Sequence, residues 1–215
     1  MKNWEKYLEL VAERPSLFTQ EGLEVVTDEA TVKAFEENGG REIGILFESP
    51  WRYVLVDLVR TATGKMFGYE RVVPVKTGGV AVLPVFEGDK IILIREYRHP
   101  VQRWCWEMPR GFGTAGASAL QNASKELYEE TGIEEAKISH LGQLNTDSGL
   151  TSDQVDLFLA EVKTLSISLL NKEETEAISH VRMFTLDEVR RMIADGEITD
   201  GFTLSALGIW KVTRG

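Results

Sequence analysis

Cysteine is all but missing: Cys105 is the only one in 215 residues. No disulfide can close within the chain, which fits a reducing compartment. Histidine is scarce, and His99, His140 and His180 lack metal-ligand spacing. No apolar run approaches the roughly 20 residues of a membrane-spanning helix. The opening stretch, MKNWEKYLELVAERP, alternates charged and apolar residues and has no apolar core of signal-peptide type. A cytoplasmic protein without a membrane partner is expected. Positive charge is in deficit, with 24 Lys and Arg against 34 Asp and Glu, a formal net charge of −10. Such a chain has no broad footprint for nucleic acid, and the basic stretches VRTATGK and VRR are too short to supply one. An anionic small molecule would have to be met locally, by a few arginines or by bound cations.

What is present is ordinary globular material, 43% apolar and 27% charged, enough for a real core. An amphipathic helix is predicted from Asn3 to Glu13, stopping before Pro15, and a second from Asp28 to Glu37. WRYVLVDLVR, TATGK and MFGYERVVPV read as strand, turn and strand, and GGVAVLPVF, EGDK and IILIREYR as a second hairpin. KISHLGQL and QVDLFLAEV are strands joined by the loop NTDSGLTSD. The tail is a strand feeding a helix with a capping box at Thr185 and Glu188, then an apolar helix from Thr203 to Val212. Strands around one central helix and a terminal helix predict an α/β (α+β) sandwich, a mixed sheet between helices. Residues 1–76 are expected to form a small N-terminal module of helices plus a hairpin, available for packing on the core or on a second subunit. Residues 77–215 form the larger domain.

The central helix has an odd charge pattern. Ser118 and Gln121 make an S-x-x-Q capping box, and Gly132 sits where a left-handed C-terminal cap belongs, so the helix should span Ala119 to Thr131. Leu120, Ala123 and Leu127 are the expected buried stripe. Glu126, Glu129 and Glu130 fall on an arc about 100° wide beside that stripe. Like charges at these spacings repel by a few tenths of a kcal/mol each. Carboxylates near a helix C-terminus also oppose its dipole, at roughly 0.3–1 kcal/mol apiece. Lys125 alone cannot cancel both. A solvated acidic face is one reading. A hard divalent cation is the other, since Mg²⁺ takes one or two carboxylates, keeps several waters and bridges to phosphates. The preceding loop PRGFGTAG offers backbone carbonyls and close approach to a ligand.

These residues resemble the Nudix hydrolase box, G-x5-E-x7-R-E-U-x-E-E-x-G-U, where U is a bulky aliphatic. Gly111 matches its first glycine, and Glu126, Leu127, Glu129, Glu130, Gly132 and Ile133 match its closing part in register. The flanks IILIREYRHPVQRWCWEMPRG and VRMFTLDEVRRMIADGEITDGFTLSAL resemble the ADP-ribose pyrophosphatase branch, so the likeness runs from about Gly78 to the C-terminus. YLELVAERPSLF is similar to the leader of an uncharacterised bacterial Nudix group. Three positions depart from the pattern. Ala117 stands where the family has a glutamate and Lys125 where it has an arginine, a pair thought to brace the loop on the helix. Gln154 stands near a point where relatives often carry a glutamate, with Asp153 the nearest acid. A differently braced loop is therefore expected.

The resemblance implies a metal-dependent pyrophosphohydrolase that cleaves ADP-ribose or a related nucleoside diphosphate sugar to a nucleoside monophosphate and a sugar phosphate. Glu126, Glu130 and the backbone carbonyl of Arg110 would ligate Mg²⁺ or Mn²⁺, and Glu129 would ligate or orient water. The general base would be a loop acid: Glu173, Glu174 or Glu176, with Glu174 the working assignment, or Asp153. Arg95, Arg98, Glu107 and Arg110 would form the substrate-binding set, the arginines on phosphates and Glu107 as a brace. Trp51, Tyr53, Tyr97, Trp104 and Trp106 include potential adenine-stacking residues. Another nucleoside diphosphate-X substrate, or a Nudix-like sensor that binds without turnover, are the competing readings. A homodimer is expected.

Overall fold

The computed structural model describes residues 3–18, 22–114, 116–164 and 178–213. Contacts divide the chain into two compact units, Met1–Lys76 with Asp147–Asp153, and Thr77–Thr146 with Gln154–Gly215.

The first unit contains α1 (Trp4–Glu13), β1 (Glu24–Val25), α2 (Glu29–Glu37), β2 (Gly44–Glu48), β3 (Arg52–Arg60) and β4 (Met66–Pro74). Asp28 starts α2 by accepting from the Thr31 N–H at 2.8 Å. β3 is the organising strand and pairs antiparallel with β1, β2 and β4. Tyr7, Val32, Ile43, Ile45, Leu55 and Leu58 fill the core beneath it. One carboxylate lies inside this apolar layer. Asp57 accepts from the Tyr7 hydroxyl at 2.6 Å and from Arg71 Nε at 2.6 Å. Burial and the Asp57 charge together push the Tyr7 phenol well above its ordinary range. The Arg71 guanidinium stacks 4.6 Å from the Phe18 ring. Asp57→Asn keeps the shape but leaves Arg71 without a counter-charge, so it should cost about 1–3 kcal/mol in urea unfolding. A change below a few tenths of a kcal/mol would show that the buried network adds nothing.

The segment 147–153, read from sequence as a plain connection between strands, groups with this first unit. Val72 of β4 donates to the Leu150 carbonyl at 2.8 Å and accepts from the Ser152 N–H at 3.1 Å. Tyr69 adds a hydroxyl bond to the Gly149 carbonyl at 3.3 Å.

The second unit holds β5 (Gly79–Phe86), β6 (Lys90–Arg98), β7 (Arg103–Glu107), β8 (Arg110–Gly111), α3 (Ala119–Thr131), β9 (Lys137–Asn145), β10 (Gln154–Val162), β11 (Ile178–Thr185), α4 (Leu186–Ala194) and α5 (Gly201–Thr213). Its seven strands form one mixed sheet in the order β11-β6-β5-β10-β9, with β7 beside β6 and β8 beside β5. β5 and β10 run parallel; the other pairs are antiparallel. The expected hairpin of β5 and β6 pairs only next to its turn, at Val85 with Ile91 and Phe86 with Lys90. Beyond that the strands part, and β7 and β8 take the space between them, pairing with β6 and β5 respectively.

Alternation along β5 divides the core. Val80 and Val82 face α3 with Ala123 and Leu127. Ala81, Leu83 and Val85 face the other side with Val189 and Met192 of α4 and Ala206, Leu207 and Trp210 of α5. The sheet is thus sandwiched between α3 and the α4–α5 pair, the layering expected from sequence. The helix α3 has the expected bounds, with both halves of the Ser118–Gln121 capping box formed and Gly132 at φ 78°. Its buried stripe differs in one place: Leu120 is 50% exposed, and Ala119 packs on the core instead. Residues 119, 123 and 127 share one helical row at i, i+4 and i+8, so the small Ala119 lets α3 lie close to the sheet. None of the helices among the described residues is long and apolar enough to cross a membrane.

Candidate active site

A second row of α3, at the same spacing, is polar and yet buried: Asn122, Glu126 and Glu130. Each end of the row is tied to the loop before the helix. Asn122 Oδ1 accepts from the Thr114 N–H at 3.1 Å, and Glu130 Oε2 accepts from the Arg110 N–H at 3.1 Å. The middle member, Glu126, lies against Gly111. A Cβ on Gly111 would fall 2.2 Å from Glu126 Oε2 and 2.3 Å from its Cδ. Only glycine leaves room for that carboxylate. Gly113 is equally confined, since a Cβ there would lie 2.7 Å from the Gly78 carbonyl oxygen. These contacts brace the loop on the helix. Where a glutamate–arginine pair was absent from the sequence, Asn122 ties the loop down, and Lys125 turns to its own helix. Its ammonium bonds Glu129 at 2.8 Å and lies 3.4 Å from Glu126.

The three expected glutamates therefore do not share one environment. Glu126 and Glu130 are 7% and 5% exposed. The Glu129 side chain is 47% exposed and is held by Lys125 at the rim. Among the described residues, no group of three His, Cys, Asp or Glu converges as a metal-ligand cluster. The donor set at the buried pair is nevertheless all hard oxygen: two carboxylates one helical turn apart beside the carbonyl-bearing turn at Arg110. Two carboxylates with water and phosphate completing the shell is what Mg²⁺ accepts, so the residues present fit a divalent ion.

Next to this turn, two arginines and three acids interlock at the ends of β6, β7 and β8. Glu107 is fully buried and receives Arg98 side-on, from Nη2 to Oε1 and from Nε to Oε2 at 3.1 Å. Glu96 takes Arg98 Nη1 at 2.8 Å. Arg110 reaches Glu107 at 3.8 Å and Asp200 at 3.9 Å. Burial pushes the Glu96 carboxyl up to about 7, with Arg98 opposing and Glu107 adding to the rise. Free in an unfolded chain, the same group titrates near 4.5. Between those values the folded protein binds more protons, so this group makes stability fall as pH rises through about 7. Glu96→Gln removes that dependence. Melting curves should show the variant gaining on the wild type between about pH 5 and about pH 8; parallel curves would refute the buried acid.

Arg95 does not join this group. Its ladder partner is Trp106, which packs on the α4–α5 side of the sheet. The Arg95 guanidinium lies 5.6 Å from the Trp104 ring and 6.0 Å from the Trp106 ring. A cavity of about 270 Å³ on that same side is lined by Trp106, Arg182, Phe184, Glu188, Arg191 and Asp195, among others. Another, of about 250 Å³, lies in the first unit beside Asp57 and Arg71. Neither is lined by Glu126, Glu129 or Glu130. Trp51 is exposed in the first unit with Lys76 Nζ 5.3 Å from its ring, and Tyr53 is partly buried in that unit's core. Tyr97 and Trp104 form an edge contact at 5.6 Å. Cys105 is buried. Glu173, Glu174 and Glu176 lie outside the described residues. Asp153 is in the 147–153 segment, where its N–H donates to Thr151 Oγ1 at 3.1 Å. Sequence reasoning did not single out Asn122, Glu96 or Asp200. Asn122 carried a signal, standing four residues before Glu126 on the same row.

A buried acid pair on a capped helix thus lies beside an obligatory glycine, Gly111 of β8. The NUDIX domain family model matches residues 75–202, more than half of the chain. The chain belongs to the Nudix family. It is a Nudix hydrolase, and members of that family generally use divalent metal ions. Among its Nudix relatives is the ADP-ribose pyrophosphatase of Bacillus subtilis (strain 168), 31% identical over 130 residues, covering 60% of this chain and 70% of the relative. The methanol dehydrogenase activator of Bacillus methanolicus is 28% identical over 130 residues, with the same coverage of 60% and 70%. A crystal structure of an ADP compounds hydrolase superposes with a TM-score of 0.68 at 22% identity, over 81% of this chain and 94% of that one. This likeness carries the Nudix fold.

Proposed function

We propose that the chain is a Mg²⁺- or Mn²⁺-dependent pyrophosphohydrolase that cleaves ADP-ribose or a related nucleoside diphosphate sugar to a nucleoside monophosphate and a sugar phosphate. The observation that carries this is the buried Glu126–Glu130 pair opposite Gly111, in a family of hydrolases whose relative in Bacillus subtilis is an ADP-ribose pyrophosphatase. Glu126, Glu130 and the Arg110 carbonyl would hold the ion. When bound, a divalent ion offsets diphosphate charge and acidifies the attacking water. The protein's own part is positioning. Gly111 keeps the Glu126 carboxylate where it is, and the Arg110 N–H fixes one oxygen of Glu130. Arg98, gripped by Glu107 and Glu96, presents its remaining N–H groups in a set direction, as a phosphate-orienting arginine requires. Glu129 at the rim is suited to orienting water. The proton acceptor is assigned to a loop acid, Glu174 or a neighbour.

Incubation of pure protein with ADP-ribose and Mg²⁺ should release AMP and ribose 5-phosphate. Tight binding of nucleotides without hydrolysis across a substrate panel would instead favour a sensor. That second reading draws on Ala117 and Gln154 and on the relative that is an activator of another enzyme. A cytoplasmic homodimer completes the proposal, with the β3–β4 hairpin of the first unit as the pairing element. Light scattering should give twice the 24.1 kDa chain mass; a monomer at assay concentration refutes the dimer.

A further inference from the structure

We infer that the Arg110 side chain, as distinct from its backbone, is a specificity-determining group that donates to hydroxyl oxygens on X, the moiety beyond the scissile diphosphate. The inference rests on the reading just proposed. Three observations lead to it.

The first is unmet hydrogen-bonding capacity. Arg98, three residues along from Arg95, spends all three guanidinium nitrogens on Glu96 and Glu107. Arg110 spends none comparably. Its contacts to Glu107 and Asp200, at 3.8 Å and 3.9 Å, are ion pairs beyond hydrogen-bond reach, and its Nε is buried with no acceptor. An acceptor arriving at the exposed part of the side chain would give Arg110 a hydrogen bond that neither ion pair supplies.

The second is preorganisation. The guanidinium lies 4.4 Å from the Phe202 ring, so its plane is held before any ligand arrives. The Arg110 backbone N–H donates to Glu130 Oε2, which sets the side chain within one residue's reach of the candidate metal site. The side chain is 26% exposed, leaving an edge that a ligand can meet.

The third is charge, and it decides the chemical class. Glu96, Glu107 and Asp200 face Arg98 and Arg110, three acids against two cations. There is no surplus positive charge to attract an anionic X. An alkyl X would bury the cluster's donors and acceptors without partners. A hydroxyl both donates and accepts, so it can take an arginine N–H on its oxygen and give its proton to a carboxylate. A neutral polyhydroxylated X, such as a sugar, satisfies the cluster on both counts.

The test compares wild type, Arg110→Ala and Arg110→Lys on ADP-ribose and on the methyl ester of ADP, which has the same diphosphate but no hydroxyl on X. Both variants keep the Arg110 backbone N–H and carbonyl. Arg110→Ala should lower the ratio of kcat/KM for ADP-ribose to kcat/KM for the methyl ester about tenfold, the loss on ADP-ribose appearing chiefly in KM. Arg110→Lys keeps the charge but lacks the planar fork and should recover only part of the loss. Equal loss on both substrates would overturn the inference by showing a diphosphate or metal effect. No loss on either would overturn it by showing a structural side chain. Calorimetric binding of the same two ligands gives an independent reading. If wild type binds both but hydrolyses neither, the hydrolase reading fails, while a selective loss of ADP-ribose affinity in Arg110→Ala still supports the inference and an unselective one sinks it.

Discussion

Glu130→Gln is expected to lower turnover about a thousandfold with little change in melting temperature. The two halves of that statement have different physical sources. Glutamine has nearly the same shape and keeps an amide oxygen to accept the Arg110 N–H, so the tie between α3 and β8 survives. Burying a neutral amide at a position 5% exposed is also less costly than burying a carboxylate. What disappears is negative charge, and with it the grip on a hard cation beside the diphosphate. Steady-state kinetics with Mg²⁺ titration, alongside a thermal melt, separates the two. Near-normal turnover at saturating Mg²⁺ would remove Glu130 from the metal set.

Gly111→Ala should cost activity on the order of a hundredfold and stability by only about 1 kcal/mol. The imbalance follows from what the new methyl group meets. Its nearest neighbours are Glu126 Oε2, Cδ and Oε1, at 2.2, 2.3 and 2.6 Å. These are the tip of a rotatable side chain, which can swing aside at modest expense to the fold. Swinging aside, however, takes the carboxylate away from the place where it would serve. Gly113→Ala offers the contrast, because there the neighbours are the backbone oxygens of Thr77 and Gly78, which cannot move so freely. A Gly111→Ala protein that kept full activity would show that Glu126 works from another position.

How far the sequence reading reached depends on whether the signal was local. α3 was legible to the residue because its start, its stop and its apolar period are all local. Leu120 was misassigned because hydrophobicity favoured it, whereas the sheet admits the smaller Ala119. β7 and β8 were not separated from the loop, although Trp104, Trp106 and Met108 alternate with Cys105 and Glu107. A glutamate in that pattern reads as exposed, and its pairing with Arg98, from another strand, explains its burial. The spacing of Arg95 and Arg98 did hold a warning. Residues three apart on a strand face opposite ways, and Arg95 accordingly stands over the tryptophans while Arg98 joins the acids. The partnership of Glu96, Glu107 and Asp200 with two arginines is a product of topology, which brings β6, β7, β8 and the start of α5 together; no single stretch of chain displays it.

The backbone bonds at Val72 bear on how the protein can be dissected. A recombinant fragment stopped at residue 76 would omit the stretch that closes one margin of its sheet, exposing the amide and carbonyl of Val72 to water or to a neighbouring molecule. Stickiness in such a truncation would report a missing edge rather than an unstable core.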